Sequence, residues 1–372
     1  MRKIGITGQN GFVGQHLYNT LGLFPDEFER IDFRKEYFDS ESQLDDFVSK
    51  CDVIIHLAAM NRHESEQFIY ETNISLAQKL VDSLQRTCSK AHVMISSSTQ
   101  EERNNLYGKS KREGREALVN WANKNGGKVT GLIIPNVFGA FGKPFYNSFI
   151  ATFCYQLTNG EIPEIANDGE VKLIYVQELI NIIINKIRTA NSEAEFFVEP
   201  TAIKKVSEVL ALLNNYKAKY LDGGEIPEIN NPFEHSLFNT YRSYINYKDH
   251  YPIKFVEHTD SRGAFVEVIR LGIGGQCSFS TTVPGITRGN HYHTRKIERF
   301  AVIKGKALIQ LRKIGSDEVL DFYLNGDEPA YVDMPIWYTH NIKNIGEEEL
   351  YTIFWIDEPF NPDDSDTYFE TV

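Results

Sequence analysis

Residues 3–14 read KIGITGQNGFVG, a compact apolar strand at Lys3–Thr7 that breaks into Gly8-x-x-Gly11-x-x-Gly14 and continues as a helix. Glycines at those places let backbone amides and the positive end of a helix meet a pyrophosphate without side-chain obstruction. An ordinary turn could use them too, so the neighbouring elements have to decide between the two. As far as about residue 190, short apolar runs alternate with helical stretches. Further strands are expected at Phe28–Phe33, Val53–Leu57, His92–Ser96 and Thr130–Ile134, with helices that include Asn73–Arg86 and Lys109–Asn123. Runs this apolar suit a parallel sheet covered on both faces, a doubly wound α/β fold of the Rossmann type.

The chain has 372 residues, against roughly 100–200 per domain, so two domains are expected. After Tyr251 the pattern changes to β-branched and aromatic runs punctuated by Gly, Pro and Asn: AFVEVIR, QCSFSTTV, ERFAVIKGKALIQLRK, EVLDFYL and LYTIFWI. This half reads as an all-β barrel or sandwich. The boundary is placed at 245–253, separating 1–247 from 252–372. Residues 203–247 are read as a helical substrate cap and linker.

With 39 Lys and Arg against 51 Asp and Glu, the net charge is −12, and no basic run tracks a phosphate backbone. Nucleic acid is therefore excluded as a partner. No run of roughly 18 apolar residues exists to span a membrane. The N-terminus enters a strand at once with no leader-type region, and a cytosolic location is expected. Cys51, Cys88, Cys154 and Cys277 form no C-x-x-C pair, as expected of buried, inert thiols in a reducing compartment. The acidic stretch DEPFNPDDSD at 357–366 reads as a solvated terminus.

The second strand ends near Asp32, followed by Arg34 and Lys35. A carboxylate for a ribose hydroxyl and cations for a 2′-phosphate both stand there, and the cations favour NADPH over NADH. Tyr107 and Lys111 form Y-x-x-x-K on one helix face, where an ammonium lowers a phenol's pKa toward neutrality and a tuned Tyr exchanges a proton with a carbonyl. The run Ser96-Ser97-Ser98-Thr99 closes the preceding strand. Ser98 is chosen as the hydroxyl beside the phenol, with Ser97 and Thr99 as alternatives.

In the second half, Gly285, His291, His293, Glu298 and Gly305 follow as G-x5-H-x-H-x4-E-x6-G, and Pro335, His340 and Asn344 as P-x4-H-x3-N. Three imidazoles and a carboxylate can close most of a divalent metal sphere, and His291 and His293 share one side of a strand. Zn²⁺ is expected, with other divalent metals open. Asp333, Tyr338 and Lys306 are titratable neighbours considered for a proton-shuttling base.

The glycine turn, His56-Leu57-Ala58-Ala59, Asn73, the serine run, Tyr107/Lys111 and Asn136-Val137-Phe138-Gly139 together resemble the extended short-chain dehydrogenase/reductase family, which acts on nucleotide sugars. The resemblance implies that Ser98, Tyr107 and Lys111 promote hydride transfer. It also implies that Gly8, Gly11, Phe12, Val13, Gly14, Arg34, Leu57, Ala58 and Ala59, with Tyr107 and Lys111, hold the cofactor. Asn136, Asn147 and Ser148 would then meet the nucleotide sugar. The interval from Ser98 to Tyr107 is shorter than in typical sugar epimerases of that family.

The histidine spacing resembles the cupin family, although Trp337 stands where that family usually has Gly and Gly326 lies farther ahead of Pro335. Asp260-Ser261-Arg262-Gly263-Ala264-Phe265 is similar to cupin sugar-ketone epimerases, many of which use a His/Asp pair without metal. Taken whole, with NVFGAFGKPFYNSFIATFCYQ, PGITRGNHYH and DSDTYFE, the sequence resembles bifunctional capsular polysaccharide enzymes of the CapF type. That resemblance implies a cytosolic homodimer whose cupin half epimerises carbon 3 of a UDP-2-acetamido-2,6-dideoxy-hexos-4-ulose, with Arg288 on the substrate side. The reductase half would then reduce the 4-ketone with NADPH to UDP-2-acetamido-2,6-dideoxy-L-talose, on the way to UDP-N-acetyl-L-fucosamine for capsule or O-antigen. A dTDP- or GDP-linked sugar, a reductase with a purely structural cupin, and a non-catalytic nucleotide sensor are the competing readings.

Overall fold

The structure, a computed structural model, describes residues 1–260, 263–358 and 361–372; of 259, 260 and 263–266 only the backbone is described. Contacts divide the chain into two compact units, Met1–Phe149 with Asp168–Val206 and Ile150–Asn167 with Ser207–Val372.

In the first unit β1 (Arg2–Thr7), β2 (Phe28–Ile31), β3 (Val53–His56), β4 (His92–Ser98) and β5 (Lys128–Ile134) form a parallel sheet in the order β2-β1-β3-β4-β5, extended at its edge by Phe196–Phe197. The five expected strands are all present. Side-chain alternation sorts their apolar residues into two cores. Ile4, Ile6, Val53, Ile55 and Leu132 pack with α1 (Phe12–Leu21) and with the helix Val176–Thr189 on one face. Ile54, Val93 and Ile95 meet α2 (Glu41–Lys50), α3 (Glu66–Arg86) and α4 (Leu106–Asn125) on the other. Both faces are buried, which is why the strands read as near-continuous apolar runs.

Two caps set where the long helices begin. The Ser65 hydroxyl accepts the Phe68 N–H at 3.2 Å and the Asn105 side chain accepts the Gly108 N–H at 2.6 Å, so α3 and α4 each start with one orphan donor satisfied. Gly126, in the left-handed region at φ 64°, ends α4.

The second unit is mainly antiparallel β. β6 (Gln276–Thr282), β7 (Thr287–Tyr292), β8 (Glu298–Lys304), β9 (Lys306–Lys313), β10 (Val319–Asn325), β11 (Ala330–Met334), β12 (Tyr338–Asn344), β13 (Leu350–Ile356) and β14 (Tyr368–Phe369) make two five-stranded sheets. One runs Ile253–Lys254, β11, β8, β13, β6, and the other β10, β9, β12, β7, β14. Among the described residues no strand pairing joins the two sheets into one closed ring. The Asp260–Phe265 segment is only partly described, so its expected likeness to epimerases lies outside the described residues.

The expected division at 245–253 follows the change from helix to strand character, whereas contacts group residues 207–250 with the β sheets. A buried polar network accounts for this grouping. Arg299 on β8 makes a two-pronged pair with Asp333 on β11 at 2.7 and 3.0 Å, and the Tyr220 hydroxyl donates to the same carboxylate at 2.6 Å. Arg242, 1% exposed, donates to the Tyr220 hydroxyl at 3.2 Å and to the Met334 carbonyl at 2.9 Å. Tyr220 packs edge-on against Phe238 at 5.0 Å.

Two surface expectations are corrected. Cys51 and Cys154 are buried, but Cys88 and Cys277 are exposed, one in the turn after α3 and the other on the outer strand β6. The acidic stretch is not merely solvated, because Asp357 and Asp366 are buried acceptors of backbone N–H groups.

Candidate functional site

In the glycine turn a Cβ on Gly14 would stand 2.2 Å from the Gly8 carbonyl oxygen, and Gly8 itself sits at φ 78° against the Ala58 backbone. Only glycine fits both positions. α1 starts at Phe12 with no side-chain cap, so its first N–H groups are available to an anion. Leu57, Ala58 and Ala59 follow β3 beside this turn. Asn73 clamps the next peptide, with Oδ1 accepting the Met60 N–H at 2.7 Å and Nδ2 donating to the Met60 carbonyl at 3.0 Å. Arg34 and Lys35 are exposed after β2, and Asp32 accepts the Tyr18 hydroxyl at 3.0 Å.

Ser96 and Ser98 lie on one side of β4 and Ser97 on the other. Ser97 donates to Glu101, a carboxylate also gripped by Arg115 at 3.0 and 2.7 Å, which makes Ser97 structural. The Ser98 hydroxyl oxygen accepts the Gln100 N–H at 3.2 Å and so caps the 3₁₀ turn Thr99–Glu102. α4 packs hard on that turn: a Cβ on Gly108 would stand 2.0 Å from the Gln100 carbonyl oxygen. Gly108 therefore lets Tyr107 approach the end of β4, a role the sequence reading missed although the glycine stands beside the tyrosine. The buried Lys111 ammonium donates to the Ser96 hydroxyl at 3.4 Å.

Burial pushes the Tyr107 phenol up to about 12, with Tyr146 adding to it. This is opposite to the expected lowering, because desolvation of the phenolate outweighs any pull from Lys111. Burial lowers Lys111 to about 8, partly offset by the charge of Glu101. The neighbouring His56 is buried, shares a 2.7 Å hydrogen bond with Thr7, and is held neutral by burial and by Lys111, down to about 3.

Of the substrate-side candidates, Asn136 is exposed, and its amide donates to the Lys172 carbonyl at 3.4 Å. Asn147 is exposed and Ser148 half-buried, both in the segment that leads into the helix Phe149–Thr158. Sequence reading did not anticipate that His16 on α1 would hydrogen-bond the Ala140 carbonyl at 2.9 Å, tying that segment to the helix after the glycine turn.

In the second unit His291, His293, Glu298 and His340 offer one ligand atom each, all within 4.8 Å of one another. Glu298 comes from one sheet, His291 and His340 from the paired strands β7 and β12 of the other, and His293 from just past the end of β7. A bulge at Asn290, with φ 62°, resets the alternation so that His291 turns inward. The His293 Nδ1–H donates to the Asp366 carbonyl at 2.6 Å and the His340 Nδ1–H to the Tyr338 carbonyl at 3.2 Å. Both Nε2 atoms then face the same Glu298 oxygen at 3.2 Å, and His340 Nε2 is buried with no satisfactory hydrogen bond. Lone pairs aimed at a carboxylate need a cation or protons between them, and the donor set fits a divalent metal.

Burial opposes charge on Glu298, yet the His293 and His340 imidazoles that face it hold its carboxyl far below the usual range. Burial also opposes charge on His293, but Glu298 outweighs it and raises the imidazole. His291 is lowered to about 4 by burial and by the other two imidazoles.

Trp337, where cupins carry Gly, sits at φ 61° and stacks on Tyr292 at 5.7 Å, so an aromatic side chain occupies a backbone position that favours glycine. Arg288 is exposed with its guanidinium on the Thr281 carbonyl at 3.0 Å. Asp333 is fully buried in the Arg299 pair, which removes it as a proton shuttle; Lys306 is exposed and Tyr338 stacks on Tyr247 at 6.0 Å. A second group able to approach a metal, His235, Asp357 and Glu358, is taken up by internal pairs, since His235 bonds Asp357 at 2.9 Å and Glu358 pairs with Arg295.

The model of the NAD dependent epimerase/dehydratase family matches residues 4–196, more than half of the chain. The chain belongs to that family. A polysaccharide biosynthesis C-terminal domain matches residues 258–368. This family member is 32% identical over 374 residues to a UDP-2-acetamido-2,6-beta-L-arabino-hexul-4-ose reductase of Pseudomonas aeruginosa, with 98% of each chain covered. It is 29% identical over 123 residues, 30% of this chain, to the spore coat polysaccharide biosynthesis protein SpsL of Bacillus subtilis, of which 82% is covered. The crystal structure of the capsular polysaccharide assembling protein CapF of Staphylococcus aureus matches over 100% of both chains at a TM-score of 0.63 and 34% identity. RMD of Pseudomonas aeruginosa complexed with NADPH shares the fold over 65% of this chain and 99% of its own, at a TM-score of 0.56 and 18% identity. Among the described residues no helix is long and apolar enough to cross a membrane.

Proposed function

We propose that this chain is an NADPH-dependent reductase of a UDP-linked 2-acetamido-2,6-dideoxy-4-keto sugar, and that its β unit, a metal-binding cupin, first epimerises carbon 3. The observation that carries the reading is the Tyr107–Lys111 helix seated on the Ser98 turn, in a chain similar over its whole length to a UDP-keto-sugar reductase.

The glycine turn would hold NADPH, which when bound would supply the hydride for carbon 4. Ser98 orients the ketone oxygen, and Tyr107 gives its proton to that oxygen as the alkoxide forms. A phenol held near 12 is fully protonated at neutral pH, which is the state a proton donor in reduction requires. Lys111, held near 8, keeps enough positive charge to compensate the phenolate left behind.

In the β unit His291, His293, Glu298 and His340 would hold a divalent metal, with Zn²⁺ favoured by the three imidazoles. Such an ion would supply Lewis-acid polarisation of a ketone oxygen, which acidifies the adjacent carbon.

Proton NMR of a UDP-4-keto-6-deoxy-HexNAc in D₂O, first without and then with NADPH, tests both halves. Deuterium should enter carbon 3 before cofactor is added, and the ketone should disappear only afterwards. Reduction with no prior exchange would confine the β unit to a structural role. Exchange without reduction would remove the reductase assignment.

A further inference from the structure

Asp366 lies in an acidic stretch that sequence alone reads as solvated, yet it is 3% exposed. One carboxylate oxygen accepts the Arg295 and Lys296 N–H groups at 3.0 and 3.1 Å, the other accepts the Thr294 hydroxyl at 2.6 Å, and the Thr294 N–H is shared between them. Three successive amides of the link between His293 and Glu298 are thus tied to one side chain. The carbonyl of the same residue accepts the His293 Nδ1–H at 2.6 Å. The chain beyond it docks on β7, β12 and β9: Phe369 pairs with His291, the Thr339 hydroxyl donates to the Glu370 carbonyl, and Arg312 holds Glu370 at 2.7 Å.

A neutral imidazole can carry its proton on either nitrogen, and the bond made by one nitrogen decides what the other presents. We infer that Asp366 is the positioning residue of the imidazole cluster. Its carboxylate pins the 294–296 link, and its carbonyl commits Nδ1 of His293 as a donor, so that Nε2 is the nitrogen turned toward the other three ligand atoms. The inference rests on the metal reading proposed above and adds to it a residue outside the four ligands.

The experiment measures zinc affinity of the full chain by competition with a chromophoric chelator, alongside the melting midpoint of the metal-free protein. Asp366→Asn keeps the shape and tolerates the left-handed backbone at φ 42°, but offers one acceptor oxygen where three amides converge. Zinc should bind about 10–100-fold more weakly, the range for lost outer-shell partners. Thr294→Ala, which removes one donor to the same carboxylate, should weaken zinc less but in the same direction. Arg312→Ala loosens the same terminal segment without touching any ligand or Asp366, and should leave zinc affinity unchanged. If Asp366→Asn lowers the melting midpoint while zinc affinity stays at the wild-type value, the positioning role is overturned and Asp366 is only a structural cap. If Arg312→Ala weakens zinc as much as Asp366→Asn, general docking of the segment is responsible and the inference fails. A wild-type chain that takes up no zinc overturns the metal reading, and this inference with it.

Discussion

At the glycine turn, Gly8, Gly11 and Gly14 clear side chains away and leave main-chain N–H groups to act, whereas at the imidazole cluster four side chains from two sheets crowd within 4.8 Å. Titration behaviour divides in the same way. Burial dominates around the first site, raising Tyr107 and lowering Lys111 and His56. In the second, the mutual field of the ligand set overrides burial for His293 and Glu298. A site shaped by backbone clearance should be broken by adding atoms. A site shaped by converging lone pairs should be broken by removing one.

The sharpest way to separate the two is Tyr107→Phe, which deletes a single hydroxyl from the first site and nothing from the second. NADPH-linked reduction should fall by about 10³-fold, within the range for loss of a general acid, while zinc uptake stays unchanged. A loss of less than tenfold in steady-state NADPH oxidation would remove Tyr107 from the proton-donor role.

Next in size is Asp333→Asn. It leaves the buried Arg299 with no carboxylate partner, and breaking a buried pair in this way costs about 3–5 kcal/mol. The melting midpoint of the β unit should drop steeply while reductase activity of the folded fraction persists. A near-normal midpoint with lost carbon 3 exchange would instead return Asp333 to the chemistry.

Legibility in the sequence divides along the same line. The five parallel strands were legible because both their faces are buried, and an unbroken apolar run such as VIIH at 53–56 has no competing interpretation. The histidine and glutamate spacing stood out in the sequence, and the structure brings His291, His293, Glu298 and His340 within 4.8 Å of one another. The strand Tyr338–Asn344 and the role of Asp366 were not legible, because a local pattern cannot report a partner some 70 residues away. Nor could it show that residues 207–250 join the β sheets, because the Tyr220–Asp333 bond spans 113 positions. The direction of the Tyr107 shift was missed because sequence places an ammonium one turn away but says nothing about how dry the phenol is.

Gly14→Ala adds one methyl group where the backbone allows none, 2.2 Å from the Gly8 carbonyl oxygen. Overpacking of this kind costs on the order of 1–3 kcal/mol, so the turn should open and NADPH affinity fall by about tenfold or more in a fluorescence titration. Zinc affinity should not change. Unaltered NADPH binding would mean that the turn does not approach the cofactor's phosphates, and the clearance argument would be lost.

The smallest effect is a pH dependence that belongs to the first site alone. Lys111 is lowered from 10.5 to about 8 by burial. Below pH 8 it is charged in the folded protein and supports Tyr107; as pH rises through 8 it loses that charge, and kcat/KM for reduction should fall, approaching tenfold per unit. For stability the sign is opposite. Between pH 8 and 10.5 the unfolded chain binds the proton that the folded chain has released, so Lys111 contributes stability that rises across that interval. Lys111→Met should abolish both trends, lowering reduction at all pH values and flattening the rise in stability. A wild-type profile of kcat/KM that stayed level to pH 10 would show that the ammonium is not what compensates the phenolate.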